Sequence, residues 1–163
     1  MIEKKTKALT RETFEPFGQL ITVPQDISVE PGAVHGWSRV ATAQFAGEVE
    51  VGWLKLLRRP VEITQMEHHL GTPEMIIPLD VPLLVPVAPG DGSPDSVPDP
   101  EQIEGFVVKP GQALVMDKSG WHWLPFPTEG ESGSCLIIFV KDTPEHDLLI
   151  RDLPSGQSVH FIA

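Results

Sequence analysis

Residues 61–87 read VEITQMEHHLGTPEMIIPLDVPLLVPV, and this stretch is the most informative about the fold. It contains strand-like runs at 61–70, 75–79 and 81–87, separated by Gly71-Thr72-Pro73 and by Asp80. Each run has the length of a strand rather than of a helix, and turn-forming residues stand between the runs. The stretch therefore predicts consecutive short β-strands.

The same pattern extends in both directions along the chain. Further strands are predicted at 19–23, 51–57, 105–109, 113–117 and 134–140, with a possible strand at 39–45. The 17 prolines and 14 glycines of the 163 residues argue against long helices. We expect one all-β domain spanning 1–163, built as a sandwich or barrel.

One short helix is predicted near the N-terminus. Thr10 can cap it, Leu9 and Phe14 can pack across the cap, and Gly18 fits its end. A second helical turn is predicted after Asp99, because Pro100 suits a first helical position.

Charge and composition exclude several classes of protein. The net charge of −11 disfavours nucleic-acid binding, which needs Lys and Arg to meet phosphates. No apolar run reaches the ~20 residues of a membrane helix, and the N-terminus lacks the apolar segment of a signal peptide. The lone Cys135 lies in an apolar run and is expected to be a buried core residue. We expect a cytoplasmic protein with no membrane partner.

Acidic and histidine side chains are concentrated in the opening stretch. Alternation along a strand places Glu67 and His69 on one face and His68 on the other. Glu74 follows after a turn and can return to the first face, and His122 can join them from a distant strand. Two imidazoles with one or two carboxylates suit a first-row divalent metal, while without metal they would form an acid/base group. Surface histidines and core tryptophans are the ordinary alternatives for each residue alone.

Several stretches resemble the ureidoglycolate lyases (also called ureidoglycolate hydrolases) of the cupin superfamily. The resemblance is carried by LTRETFEPFGQLI at 9–21, by MEHH at 66–69 with IPL at 77–79, and by PGQ at 110–112 with WH at 121–122 and PD at 98–99. It covers most of the chain from 9 to about 140. Glu67-x-His69-x4-Glu74 with His122 is also similar to the general cupin metal motif, with Glu in place of its first His.

The resemblance implies a cupin-type double-stranded β-helix barrel (a jelly roll), a homodimer, and cleavage of ureidoglycolate to glyoxylate and urea in allantoin and purine breakdown. This chain departs from the family pattern at four positions. His68 stands in place of Arg, Asp117 in place of His, Lys118 in place of Arg, and Trp123 in place of His. Three of these departures fall where the chemistry is expected.

We therefore predict a divalent metal, such as Ni, Zn or Mn, held by Glu67, His69, His122 and Glu74. The substrate is expected to be a small anion. We expect Asp117 or His68 to transfer the protons. Arg39 or Lys118 is expected to pair with the substrate carboxylate. Trp121 and Trp123 are expected to contact the substrate.

Two other functions remain open on the sequence alone. The chain could be a metal-binding cupin of another activity, such as an isomerase or a dioxygenase. It could also bind a small acid or a sugar without turning it over. Asp117 and Trp123 stand where the family has histidines, and this replacement would suit a site that has lost catalytic activity.

Overall fold

The computed structural model describes residues 1–162; Ala163, the last residue of the predicted domain, lies outside that range. Strands dominate this part of the chain, and two short α-helices accompany them, α1 at Arg11–Phe14 and α2 at Thr143–His146. The strands are β1 (Ile2–Lys5), β2 (Gly18–Ile21), β3 (Val49–Leu57), β4 (Glu62–Ile63), β5 (Gln65–His68), β6 (Glu74–Pro78), β7 (Leu83–Ala88), β8 (Glu104–Val108), β9 (Ala113–Met116), β10 (Trp121–His122), β11 (Phe126–Pro127), β12 (Ser132–Val140), β13 (Leu149–Asp152) and β14 (Val159–Ile162). Short 3₁₀ turns occupy Glu15–Phe17, Pro100–Gln102 and Pro154–Gly156.

Two antiparallel sheets form the barrel. The first has the order β2-β9-β6-β12-β3, and the second has the order β11-β7-β10-β5-β13, with β8 also paired to β7. Most connections cross from one sheet to the other, while β7–β8 and β10–β11 stay within the second sheet, and β3-β12-β6-β9 faces β5-β10-β7-β8. This is the strand order of a jelly roll, the fold of cupins. The predicted all-β, cupin-type barrel with a short N-terminal helix is confirmed.

The molecule has two apolar cores, one on each side of the second sheet. The first fills the barrel, where Phe14, Phe106 and Leu114 are fully buried among residues from both sheets. The second lies between the second sheet and a small sheet of order β1-β14-β4, and includes Met66 and Trp121. Residues of the second sheet are therefore buried on both faces, which leaves the polar ones in need of partners.

The capping residues identified in the sequence mark the ends of the helical turns in the structure. The Thr10 hydroxyl accepts the Thr13 backbone N–H at 3.1 Å and caps α1, and Gly18 follows the turn at a φ of 146°. The Asp99 carboxylate accepts the Glu101 N–H at 2.9 Å, as the capping pattern predicts.

Two strand predictions are wrong in detail. The run 61–70 is divided at Thr64 into β4 and β5, which belong to different sheets. The possible strand at 39–45 is absent from the described structure, where 22–48 contains neither helix nor strand. The Gln19 side chain donates to the Thr42 carbonyl at 2.7 Å and accepts the Thr42 N–H at 3.1 Å. The backbone groups of Thr42 that would pair with a neighbouring strand are therefore bonded to a side chain. No helix within 1–162 is long and apolar enough to cross a bilayer.

Candidate functional site

Four polar side chains converge between the two sheets of the barrel. In the second sheet, β5 and β10 pair so that His122 stands directly opposite Glu67, and both side chains project from the same face. His69 follows β5 immediately, and Glu74 opens β6 in the facing sheet. All four line one cavity, so the predicted convergence of distant strands is observed.

The distances within this group are those of donors that can share one ion. The ligand atoms of Glu67, His69 and His122 all lie within 4.8 Å of one another. Glu74 Oε2 is 3.0 Å from His69 Nε2 and 3.4 Å from His122 Nε2, and Glu67 Oε1 is 3.5 Å from His122 Nε2. Donors bound to one ion at ~2.1 Å lie roughly 3.0–3.5 Å apart. Glu67, His69 and His122 therefore form a group that can hold a divalent metal, and Glu74 contacts both imidazoles.

Both histidines are oriented by the backbone. His69 Nδ1–H donates to the Asp147 carbonyl at 2.6 Å, and His122 Nδ1–H donates to the Gly120 carbonyl at 3.2 Å. Each Nε2 is thereby left facing the cavity, an arrangement typical of metal-binding histidines. Within the described residues, His122 Nε2 and His68 Nε2 are buried atoms without a hydrogen bond of good geometry, and of these two residues His122 lines the cavity. Oxygens of Glu74 and Glu67 lie 3.4 and 3.5 Å from His122 Nε2, so this nitrogen is open to the carboxylates or to a ligand in the cavity.

Charges in the group stabilise one another strongly. Burial alone would lower the pKa of His122, but the carboxylates of Glu74 and Glu67 outweigh it and raise that pKa to about 9. Burial would raise the pKa of Glu74, but His122 and His69 outweigh it and hold that pKa at about 2. Burial raises the pKa of Glu67. In the protein without metal, His122 and Glu74 therefore form a buried ion pair.

The remainder of the cavity wall is apolar. The cavity measures about 250 Å³, and its lining includes Trp53, Leu54, Trp123, Leu124, Phe139 and Leu148. No Lys or Arg side chain from the described chain lines it. Sequence reasoning did not identify the wall residues of β3 and β12. Alternation along β12 would have placed Ile137 and Phe139 on one face, but which face is interior becomes known only with the strand pairing.

Of the two predicted tryptophans, the structure brings only Trp123 to the cavity. Trp121 lies in the second core, 2% exposed, where its ring stacks on His68 with centroids 3.8 Å apart. His68 is fully buried, and its Nδ1 lies 3.4 Å from the Ser119 carbonyl oxygen. Because neighbours in a strand point to opposite faces, Trp121 and His68 lie on the side of the sheet away from Glu67 and His122.

The remaining predicted residues lie outside the cavity. Asp117 and Lys118 are exposed in the turn after β9, and neither lines the cavity. Arg39 is exposed in the 22–48 segment, 5.8 Å from the centre of the Trp37 ring, and lines a separate groove with Arg11. The structure does not bring these three residues to the carboxylates and imidazoles, so their roles stay predictions.

Comparisons with known proteins identify the family of this chain. Residues 1–157 match the model of the ureidoglycolate lyase family. A ureidoglycolate lyase from Mesorhizobium japonicum is 29% identical over 140 residues, which cover 81% of this chain and 82% of that protein. A ureidoglycolate lyase from Pseudomonas aeruginosa is 31% identical over 127 residues, 72% of each chain.

Among solved structures, an oxalate decarboxylase from Bacillus subtilis is similar with a TM-score of 0.43 and 16% identity, over 58% of this chain and 22% of that one. The match to the family model is far more extensive, since it spans the barrel, both halves of the polar group and the N-terminal helix. On that match and on the similarity to the lyases, the chain belongs to the ureidoglycolate lyase family.

Proposed function

We propose that the protein is a metal-dependent lyase that cleaves ureidoglycolate to glyoxylate and urea. The observation that carries the proposal is the meeting of Glu67, His69, Glu74 and His122 at one cavity, with donor separations that suit a single ion. Family membership supplies the reaction, because the relatives from Mesorhizobium japonicum and Pseudomonas aeruginosa are ureidoglycolate lyases.

Ureidoglycolate carries a hydroxyl, a carboxylate and the urea nitrogen on one carbon. Cleavage removes the hydroxyl proton, forms the carbonyl of glyoxylate, breaks the carbon–nitrogen bond and returns a proton to the departing nitrogen. A bound divalent ion chelated by the hydroxyl and carboxylate would lower the pKa of that hydroxyl and fix the reacting atoms. No further reactant is needed.

His69, His122 and Glu74 hold the ion in this proposal, and Glu67 stands beside it with its carboxylate available to the substrate. Of the two carboxylates, Glu67 is the more exposed, with 13% of its side-chain surface accessible against 7% for Glu74. We therefore place proton transfer between the hydroxyl and the departing nitrogen on Glu67, since it can meet a substrate that enters the cavity. Asp117 and His68, the acid/base residues expected from sequence, do not line the cavity.

The experiment measures bound metal and glyoxylate release for the wild type and for His69→Ala, His122→Ala and Glu67→Gln. We expect both histidine variants to lose metal and activity together. Glu67→Gln should retain most of the metal and lose about 10²–10⁴ in kcat, the usual contribution of general acid–base catalysis. His160→Ala is the matched control, because His160 pairs with Glu62 outside the cavity. Unchanged metal content and turnover in both histidine variants would refute the proposal.

We also propose that the protein is a homodimer, as the family resemblance implies. β3 is an edge strand of the first sheet, and its residues Val49, Val51 and Leu57, which do not line the cavity, are exposed. A long apolar edge strand favours pairing with another chain. The cytoplasmic location expected from the sequence stays a prediction.

A further inference from the structure

We propose that the cavity selects ureidoglycolates whose distal urea nitrogen carries an apolar group, and that N-alkyl ureidoglycolates are better substrates than ureidoglycolate itself. This inference rests on the proposed function, because it concerns the substrate of the same site. It follows from the part of the cavity that the metal ligands do not occupy.

The charged and imidazole side chains that line the cavity are Glu67, His69, Glu74 and His122, and the other lining side chains are apolar apart from the indole N–H groups of Trp53 and Trp123. With the substrate hydroxyl and carboxylate at the first four residues, we place its urea end against the remaining walls. Those walls present aromatic and aliphatic side chains, among them Leu54, Phe139 and Leu148. The volume of about 250 Å³ is small for a ligand site, so a bound substrate must contact these walls.

Unsubstituted ureidoglycolate is poorly matched to this environment. Its terminal amide carries hydrogen-bond donors and an acceptor, and burying such groups without partners is unfavourable. Lys and Arg side chains are missing from the cavity lining in the described chain, and the exposed Arg39 and Lys118 lie outside it. An alkyl group at the same position needs no partner and gains from leaving water.

Electrostatics point the same way. The two carboxylates of the site offset the charge of a divalent ion, and the whole chain carries a net charge of −11. One substrate carboxylate can still bind as part of the chelate, but the apolar wall supplies no charge for a second anionic group. The substrate class is therefore a monoanionic hydroxy acid with an apolar end.

The reaction on such a substrate balances without a co-reactant. The hydroxyl of the N-alkyl ureidoglycolate loses its proton and becomes the aldehyde of glyoxylate. The carbon–nitrogen bond breaks, its electron pair remains on nitrogen, and that nitrogen takes a proton. The products are glyoxylate and an N-alkylurea.

The test compares kcat/KM for ureidoglycolate and its N-methyl, N-butyl and N-benzyl derivatives, using protein loaded separately with Zn, Mn and Ni. Burial of each methylene is worth about fourfold, so the butyl compound should exceed the methyl compound by about 50-fold. Ureidoglycolate turned over as well as the butyl compound would overturn the inference and leave the proposed function intact. No turnover of any compound would count against the proposed function.

A binding measurement tests the inference independently of turnover. Trp53 and Trp123 line the cavity, so ligands that enter it should alter tryptophan fluorescence. We expect N-butylurea to bind at least tenfold more tightly than urea, and equal affinities would overturn the inference even in an inactive protein.

A variant pair locates the preference. Leu148 is 37% exposed at the cavity, so Leu148→Arg can be made without disturbing a core. It should reduce kcat/KM for the butyl compound at least tenfold more than it reduces kcat/KM for ureidoglycolate, because it removes apolar wall surface and supplies donors to the urea end. Trp37→Ala, at a tryptophan 75% exposed outside the cavity, should change neither. Equal losses on both substrates in Leu148→Arg would contradict the assignment.

Discussion

His122 combines the burial, the backbone hydrogen bond and the carboxylate contacts that characterise the site. It is 3% exposed, its Nδ1–H donates to a backbone carbonyl, and its Nε2 faces Glu74 and Glu67 at 3.4 and 3.5 Å. A neutral imidazole in this position is ready to bind a metal, whereas an imidazolium pairs with the carboxylates. Protons and metal therefore compete for the same nitrogen.

This competition predicts how pH affects the stability of the metal-free protein. The raised pKa of His122, about 9 against 6.5, contributes stability that is complete below pH 6.5 and is lost as pH rises through 9. The lowered pKa of Glu74, about 2 against 4.5, contributes stability that is complete above pH 4.5 and is lost as pH falls toward 2. Thermal unfolding should therefore show highest stability between pH 4.5 and 6.5.

A matched variant separates this effect from the general influence of net charge. His122→Gln removes the titrating group, so its stability should fall less steeply than that of the wild type between pH 6.5 and 9. Parallel curves for the two metal-free proteins over that interval would show that the ion pair does not contribute.

At the scale of the single residue, the sequence predicted much of the site. Alternation correctly placed Glu67 and His69 on one face and His68 on the other. The same rule, applied to β10, would have directed Trp121 away from His122, but the flanking tryptophans were interpreted as a pocket wall. Wall residues such as Leu54 and Leu148 could not be identified, because apolar residues give no local sign of whether they face a core or a cavity.

At the scale of the element, the sequence identified most strands of the barrel and missed β10, β11 and β13. β10 and β11 contain two residues each, too few for a periodic pattern, yet β10 carries His122. β4 and β5 form one apolar run in sequence, and only tertiary pairing assigns them to different sheets. Capping chemistry located α1 because its signal is local.

One element contact has a direct bearing on the site. The turn that follows α2 holds the β5–β6 turn through Asp147, whose carboxylate accepts the N–H groups of Leu70 and Gly71 at 2.9 and 2.7 Å. Its backbone carbonyl accepts the His69 Nδ1–H. Asp147 therefore fixes both the turn and the imidazole that it carries, although nothing in its sequence context indicated this.

We expect Asp147→Ala to weaken metal binding by about tenfold, because the turn that carries His69 loses its carboxylate anchor while the backbone carbonyl that accepts the His69 Nδ1–H remains. Two backbone donors would also lose their acceptor, which should cost about 1–3 kcal/mol of unfolding free energy. Asp147→Asn keeps one acceptor and should be intermediate in both respects. Calorimetric metal titration and denaturant unfolding provide the measurements, and an Asp147→Ala protein with wild-type metal affinity would contradict the positioning role.

At the scale of the whole molecule, the barrel explains why sequence-distant residues form one site. The chain crosses from the second sheet to the first between β5 and β6 and returns between β9 and β10, so Glu67 and Glu74 lie on facing sheets while His122 returns beside Glu67. The resemblance to a family supplied this connectivity in advance; composition and turn spacing alone indicated only a sandwich or barrel.

The outer surface of the same barrel supports the proposed homodimer. β3 ends the first sheet, and its exposed residues Val51 and Leu57 are 61% and 67% accessible. Unpaired backbone groups at such an edge, next to apolar side chains, favour association with a second copy. We expect the wild type to sediment as a dimer at micromolar concentration.

Val51→Glu should shift this equilibrium toward monomer by at least tenfold, because burying an unpaired carboxylate at the interface is unfavourable. Val34→Glu is the matched control, since Val34 is 98% exposed in the 22–48 segment rather than on β3. Sedimentation velocity across a concentration series compares the three proteins. A dimer of unchanged strength in Val51→Glu would place the interface elsewhere on the barrel, and a monomeric wild type would refute the homodimer itself.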